Sequence, residues 1–152
     1  MQLIPTINEQ NFEEIKKKVE LVENLVDFVQ FDVADGKFTS YTTWNNPADL
    51  LNLNPYLNFE IHLMIESPEK VVEEWLKINN VRRIIVHLEA INEQSFNQII
   101  SLVQKYQKEL GLAIKNETPW EALKLYVDKI NFVQVLAVSA GPAGQIFEFS
   151  NL

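Results

Sequence analysis

Short apolar runs alternate with longer amphipathic segments along this chain. Runs rich in β-branched and aromatic residues are typical of strands, and apolar positions that recur every three or four residues are typical of helices. The strand-like runs occupy residues 3–7, 26–35, 58–65, 81–90, 110–116 and 132–147. The helical segments between them occupy residues 8–25, 46–53, 67–78, 95–110 and 117–130. The pattern therefore predicts six strands and five helices in strict alternation.

Such alternation predicts a parallel sheet with crossover helices, either a doubly wound open sheet or part of a (β/α)8 barrel. No GxGxxG follows the first strand, which disfavours a dinucleotide-binding sheet. Polar residues instead stand near the ends of several successive strands: Asp32, Asp35, His62, His87, Glu89, Lys115, Asn116 and Ser139. Sites spread over many strand ends are typical of barrels. We predict an α/β protein of the TIM-barrel class, with six βα units in one partial barrel domain over residues 1–152.

Composition and charge narrow the classes of function. Hydrophobic residues make up 47% of the chain and charged residues 22%, as in a globular protein. The net charge of −8 disfavours nucleic acid as a partner, and the lysines at 16–18 fit the solvated face of a helix. There is no cysteine, no signal-peptide pattern at the first residues and no apolar stretch of membrane-spanning length. We expect a soluble cytoplasmic protein with no membrane partner.

The stretch QFDVADGKF at 30–38 places a carboxylate inside an apolar run. An unpaired buried carboxylate is costly, so Asp32 either caps a turn or faces a site that needs a base or a metal ligand. Because side chains alternate along strands, Asp32 and His62 could meet at one level on adjacent strands, as ligands for a divalent metal. The chain has two histidines: a hydrogen-bonded core position explains His62 as well as a site does, and explains His87 better. Asp35 precedes Gly36 and is expected to shape the turn.

The segment SAGPAGQ at 139–145 follows the sixth strand-like run. Two glycines around a Pro-Ala pair let the backbone approach a ligand and present N–H groups to a phosphate. A plain turn would have the same composition.

Six motifs, in order and across the whole chain, resemble the ribulose-phosphate 3-epimerase family. They are LIPTI at 3–7, QFDVADGKF at 30–38, HLM at 62–64 followed by Pro68-Glu69, HLEA at 87–90, Thr118-Pro119, and VSAGPAGQIF at 138–147. The resemblance implies a (β/α)8 barrel that inverts carbon 3 of a pentulose 5-phosphate. A proton next to a ketone is removed and one is returned on the opposite face, which needs two acid/base groups and a metal.

The resemblance also implies roles for particular residues. Asp32 would be a catalytic acid/base and a metal ligand, and His62 would be a metal ligand that also contacts substrate. Thr6 and Met64 would line the substrate site. The loop residues Gly141, Pro142, Ala143 and Gly144 would hold the phosphate. The cofactor would be a divalent ion, either zinc, iron, manganese or magnesium.

Three departures from the family pattern leave the activity open. Gln30 stands where the family has a histidine ligand, which weakens a transition-metal site and favours harder ions. Ala34, Leu136 and Pro142 replace the family's methionines and loop phenylalanine. The sequence stops at Leu152, whereas the family's second catalytic aspartate lies on a seventh strand. We expect either a shortened version of a longer reading frame or a homologue that has lost half of its barrel.

Three hypotheses follow. The first is a metal-dependent sugar-phosphate epimerase. The second is a phosphosugar-binding protein without turnover, because one carboxylate can exchange a proton but cannot deliver one to the other face. The third is an interaction module, possible as a homo-oligomer, whose open sheet edges pair with another chain.

Overall fold

The structure, a computed structural model, describes residues 2–136, 138–142 and 144–146. Its centre is one parallel sheet of six strands, in which each strand pairs with the next one along the chain. The strands are β1 (Thr6–Ile7), β2 (Phe28–Ala34), β3 (Asn58–Met64), β4 (Val81–His87), β5 (Glu109–Ile114) and β6 (Phe132–Val135). The sheet curls as a partial barrel, which confirms the predicted α/β class.

The connections contain three α-helices on the outside of the sheet: α1 (Phe12–Val22), α2 (Val72–Leu76) and α3 (Glu93–Lys105). Asn11 begins α1, where its side chain accepts a hydrogen bond from the Glu14 N–H. Asn92 and Ser95 form a reciprocal capping box at the start of α3. No helix among the described residues is both long and apolar enough to cross a bilayer.

The proline-led segments are where the helix predictions were wrong in type. Segments 46–53 and 117–130 form 3₁₀ turns at Pro47–Asn52, Trp120–Leu125 and Val127–Lys129, and the segment at 67–78 divides into a 3₁₀ turn followed by α2. No side chain caps the start of any of these turns. Without a cap, and with so few residues, the cost of nucleating an α-helix is not offset. The last strand also ends at Val135, well before the predicted 147.

Strict alternation along the strands separates two environments. Apolar residues of one face pack against the helices and form the core: Val29, Phe31, Val33, Phe59, Ile61, Leu63, Ile84, Val86 and Leu112, with Trp44, Trp75 and Phe96 from the connections. The residues between them point to the inside of the curled sheet, and many are polar. Because the polar residues share the inner face, this face can hold a polar site while the other face keeps an apolar core.

An ion-pair cluster occupies the inner face near the amino-terminal ends of the strands. Arg83 donates to Glu109 over 2.7 Å and lies 3.4 Å from the carboxylate of Glu60. Its guanidinium also stacks on Phe28, at 4.4 Å from the ring centre. Glu60 is only 5% exposed. Burial raises the pKa of the Glu60 carboxyl, and the charge of Arg83 opposes that rise.

Removing Arg83 should therefore destabilise the protein. We expect Arg83→Met to lower the free energy of unfolding by about 3 kcal/mol, because Glu60 is left buried without its cation. Chemical denaturation measures this loss, with exposed Arg82→Met as the matched control. Adding Glu60→Gln to Arg83→Met should recover part of the stability. Equal losses from Arg82→Met and Arg83→Met would contradict this explanation.

Candidate functional site

Asp32 and His62 face each other across the paired strands β2 and β3. They are direct partners in the strand register, and the Asp32 Oδ1 lies 3.1 Å from the His62 Nδ1. His62 is buried, whereas the Asp32 side chain is 14% exposed. The alternation of side chains thus brings these two residues together, at the carboxyl ends of the strands where barrel proteins bind ligands.

The other hydrogen bonds to the Asp32 carboxylate come from neutral amides. Gln30, two residues earlier on the same face of β2, donates to Oδ1 over 2.7 Å. Asn8, which follows β1, donates to Oδ2 over 3.2 Å and to the Gly141 carbonyl oxygen over 3.0 Å. In the described part of the chain, the side chains that hydrogen-bond to Asp32 include no Lys or Arg. Asp32 is therefore oriented on both oxygens without being neutralised by a fixed cation.

A second line of polar side chains continues from His62 away from Asp32. The His62 Nε2 lies 2.9 Å from the His87 Nε2, and the two rings stack with centres 5.0 Å apart. The His87 Nδ1 lies 3.3 Å from the Glu89 Oε2. We call Asp32, His62, His87 and Glu89 the inner relay. It joins strands β2, β3 and β4 through side chains alone.

Glu89 ends the inner relay as a carboxylate. Its Oε1 accepts from the Lys115 backbone N–H over 2.8 Å and from the Thr118 hydroxyl. Burial opposes ionisation, but the hydrogen bonds from His87, Thr118 and Lys115 outweigh it and lower the pKa of Glu89 from 4.5 to about 2. Burial lowers the pKa of His87, and the hydrogen bond to Glu89 offsets part of that effect.

The lowered pKa of Glu89 leads to a prediction about how the free energy of unfolding depends on pH. A depressed carboxyl pKa stabilises the fold above its unfolded value of 4.5, and this stability is lost as the pH falls towards about 2. We expect the free energy of unfolding of the wild type to fall more steeply in this window than that of Glu89→Gln. Urea unfolding between about pH 2 and 6 measures the difference, and parallel curves would contradict it.

The loop after β2 covers the inner relay. Asp35 accepts from the backbone N–H groups of Lys37, Phe38 and Glu66, so it shapes this loop as predicted. Burial works against ionisation of Asp35, but these hydrogen bonds prevail and lower its pKa. The Phe38 ring lies 4.7 Å from the His87 ring. The Phe38 ring thus covers His87, which is 0% exposed.

A cavity of about 160 Å³ opens beside Asp32. Most of the residues that sequence analysis assigned to a site line it: Thr6, Gln30, Asp32, His62, Met64, Gly141 and Pro142. Gly144 does not line it, and Ala143 lies outside the described residues. The cavity is smaller than the roughly 300–1,000 Å³ of pockets for drug-sized ligands, so it suits a small ligand.

The loop of residues 139–145 borders this cavity and needs its glycines. Gly141 and Gly144 have φ angles of 140° and 80°, a region that favours glycine. Gln145 donates to the carbonyl oxygens of Ser139 and Pro142, over 2.7 Å each. These two bonds turn the backbone back on itself next to the cavity.

Asn8 is a site residue that sequence analysis missed. Its Oδ1 is buried and has no hydrogen-bond partner among the described residues, and Asn8 lines the cavity beside Asp32. A buried acceptor without a partner is costly, so it is suited to receive a ligand hydroxyl or a cation. The available signal was its position two residues after Thr6, which alternation places on the same inner face.

The donors at the cavity fit part of a metal site. Asp32 and His62 bring a carboxylate oxygen and an imidazole nitrogen to one point, and the amide of Gln30 is adjacent. No group of three or more His, Cys, Asp or Glu side chains that could hold a metal ion occurs in the described ranges. The described residues therefore supply two strong ligands for a divalent ion, with the Asn8 Oδ1 as a weaker amide oxygen at the same cavity.

Comparison with known proteins decides the family. Residues 2–152 match the family described as "Ribulose-phosphate 3 epimerase family". The chain belongs to this family. It is 32% identical over 126 residues to the ribulose-phosphate 3-epimerase of Chlamydia trachomatis, an alignment that covers 82% of this chain and 53% of that protein.

Other ribulose-phosphate 3-epimerases align over more of the chain. The chloroplastic ribulose-5-phosphate-3-epimerase of Arabidopsis thaliana is 27% identical over 94% of this chain and 51% of its own length. The enzyme of Synechocystis is 25% identical over 94% of this chain and 63% of its own length. The chain thus spans about half to two thirds of the length of these relatives.

Proposed function

We propose that this protein acts on a pentulose 5-phosphate with the proton-transfer chemistry of an isomerase, in which Asp32 removes the proton on carbon 3 and returns one exchanged with solvent. The observation that carries the proposal is the Asp32 carboxylate, held at a small cavity by neutral donors and paired in register with His62. Membership of the ribulose-phosphate 3-epimerase family supports ribulose 5-phosphate as the substrate.

In this proposal each residue of the site has a part in the chemistry. Asp32 removes the proton, and the amides of Gln30 and Asn8 keep its oxygens aimed at the cavity. Hydrogen-bond donors that are already oriented stabilise the negative charge that develops on the substrate oxygens. Thr6 and Met64 would contact the sugar, and the backbone of Gly141 to Gly144 would hold the phosphate.

A divalent ion belongs to this proposal. Asp32 and His62 would hold it. The Gln30 Nε2 donates to Asp32, so Gln30 would have to turn its amide to add an oxygen ligand, and such an oxygen favours magnesium or manganese over zinc or iron. When bound, such an ion polarises the carbonyl and hydroxyl oxygens next to carbon 3 and so makes its proton more acidic.

A second candidate function is phosphosugar binding without inversion. Asp32 is the one carboxylate that lines the cavity among the described residues. Inversion needs acid/base groups on both faces of carbon 3, so a single carboxylate supports exchange of the proton with retention.

We also propose one partial barrel domain over residues 1–152 and a cytoplasmic location. The lack of cysteine supports the location.

The third hypothesis, an interaction module that forms a homo-oligomer, stays a prediction. Val133 and Val135 on β6 are 39% and 46% exposed, which gives this strand an apolar surface. Sedimentation of the purified protein tests it, and a strictly monomeric species would count against it.

Thermal unfolding with added ligand tests the proposed function. We expect ribulose 5-phosphate with manganese to raise the melting temperature, whereas ribulose without phosphate should have little effect. The Asp32→Asn variant should lose the part of the shift that depends on manganese. A melting temperature that neither manganese nor the phosphosugar changes would contradict both catalysis and binding.

A further inference from the structure

We infer that Asn8 is a specificity-determining residue whose Oδ1 accepts a hydrogen bond from the hydroxyl group on carbon 4 of the bound pentulose 5-phosphate. This role rests on the proposed function and names the substrate group that the site recognises. Two features carry it: the end of the Asn8 amide that is left without a partner, and the position of Asn8 between Asp32 and the loop of residues 139–145.

The hydrogen bonds of Asn8 fix the orientation of its amide. The Nδ2 lies 3.0 Å from the Gly141 carbonyl oxygen and 3.2 Å from the Asp32 Oδ2. Carbonyl and carboxylate oxygens accept hydrogen bonds, and only the nitrogen end of an asparagine amide donates them. Turning the amide over would bring its oxygen against both acceptors. The Oδ1 is therefore the end that points away from Asp32 and Gly141.

The Asn8 Oδ1 needs a hydrogen-bond donor. It is buried and has no hydrogen-bond partner among the described residues. Leaving a buried acceptor unpaired is costly. Asn8 lines the cavity of about 160 Å³ beside Asp32, so a ligand in that cavity can supply the missing donor. The donor groups that a sugar phosphate offers are its hydroxyl groups.

Asn8 and His62 contact different oxygens of the Asp32 carboxylate. His62, on β3, lies 3.1 Å from the Oδ1, whereas Asn8, which follows β1, contacts the Oδ2. The order of the sheet places β2, and Asp32 with it, between those two strands. The Asn8 Oδ1 is therefore available to the substrate even when Asp32 and His62 hold an ion.

The neighbours of Asn8 indicate which hydroxyl group it meets. Its Nδ2 donates to Asp32, which acts on carbon 3 in the proposed function, and to Gly141, in the loop proposed to hold the phosphate on carbon 5. Asn8 thus lies between the groups that act on carbon 3 and on the phosphate. Carbon 4 is the substrate atom between them, so we assign its hydroxyl group to the Asn8 Oδ1.

Binding of two ligands tests this role: ribulose 5-phosphate and its analogue without the carbon-4 hydroxyl group. We expect the wild type to bind ribulose 5-phosphate roughly 10- to 100-fold more tightly, because the analogue leaves the Asn8 Oδ1 unpaired. In Asn8→Leu, whose side chain has a similar size but no acceptor, this preference should disappear. Titration calorimetry with manganese present measures the four dissociation constants.

A merely structural role of Asn8 predicts a different pattern. If Asn8 only orients Asp32 and the loop, Asn8→Leu should weaken the binding of both ligands by the same factor and keep the preference. That result would overturn the inference. Asn45→Leu, the same substitution at an exposed position, should leave all the constants unchanged.

The wild-type protein alone separates this inference from the proposed function. If it binds both ligands equally well, phosphosugar binding stands and the role of Asn8 is overturned. If it binds neither ligand, the proposed function fails and the role of Asn8 fails with it. A loss of manganese affinity in Asn8→Leu with the ligand preference intact would make the Oδ1 a metal ligand instead, which would also overturn the inference.

Discussion

Replacing Asp32 with asparagine should slow exchange of the proton on carbon 3 of ribulose 5-phosphate by about 10²- to 10⁴-fold. Asparagine keeps the size of the side chain but cannot accept the substrate proton. Affinity for a divalent ion should also fall, because Asp32 is one of the two strong donors at the cavity. Exchange is followed by NMR in deuterated water, and metal affinity by calorimetry.

Asp27→Asn is the control for this prediction. Asp27 is exposed and lies just before the amino-terminal end of the same strand, away from the cavity. Its substitution changes the net charge by the same amount and should leave both measurements unchanged. Exchange at the wild-type rate in Asp32→Asn would mean that another group removes the proton.

Truncation of Trp75 should cost the fold more stability than the loss of Arg83. Trp75 lies on α2, is 1% exposed and packs edge-on against Trp44, with ring centres 5.5 Å apart. Trp75→Ala removes this contact and leaves a cavity between α2 and the sheet. We expect the free energy of unfolding to fall by about 3–5 kcal/mol, measured by denaturant unfolding.

Trp120→Ala tests whether that loss comes from burial. Trp120 is 61% exposed, and its ring contacts the Lys124 ammonium, which lies 4.5 Å from the ring centre. Its removal should cost less than about 1 kcal/mol. If the free energy of unfolding falls by a similar amount in both tryptophan variants, burial of Trp75 in the core does not explain its loss.

The sheet was predictable because its signal is repeated and strong. Six apolar runs separated by amphipathic segments leave few topologies, and short connections favour pairing of successive strands. Alternation along each strand also predicted that Asp32 and His62 could meet at one level, and the register pairs them directly. The α-helix predictions for the proline-led segments were wrong in type, because a Pro after a polar residue marks the start of a helix but does not decide between an α-helix and a 3₁₀ turn.

The rest of the site depends on contacts that a sequence does not carry. The bond from Asn8 to Asp32 joins residues 24 positions apart, and that from Thr118 to Glu89 joins residues 29 positions apart. Thr118 stands at the start of a predicted helix, yet its hydroxyl donates to a carboxylate at a neighbouring strand end. In the sequence His87 is either a core residue or a ligand, and the structure makes it the link between Glu89 and His62.

Exchange of the carbon-3 proton of ribulose 5-phosphate by Asp32 is tested most simply by a proton NMR time course in deuterated water. The sample contains the sugar phosphate, the protein and magnesium. We expect the carbon-3 signal to disappear with the wild type and to persist with Asp32→Asn. Appearance of the carbon-3 epimer would further assign inversion. A carbon-3 signal that persists with wild-type protein saturated by ligand would contradict the role of Asp32 as a base and leave binding as the function of the site.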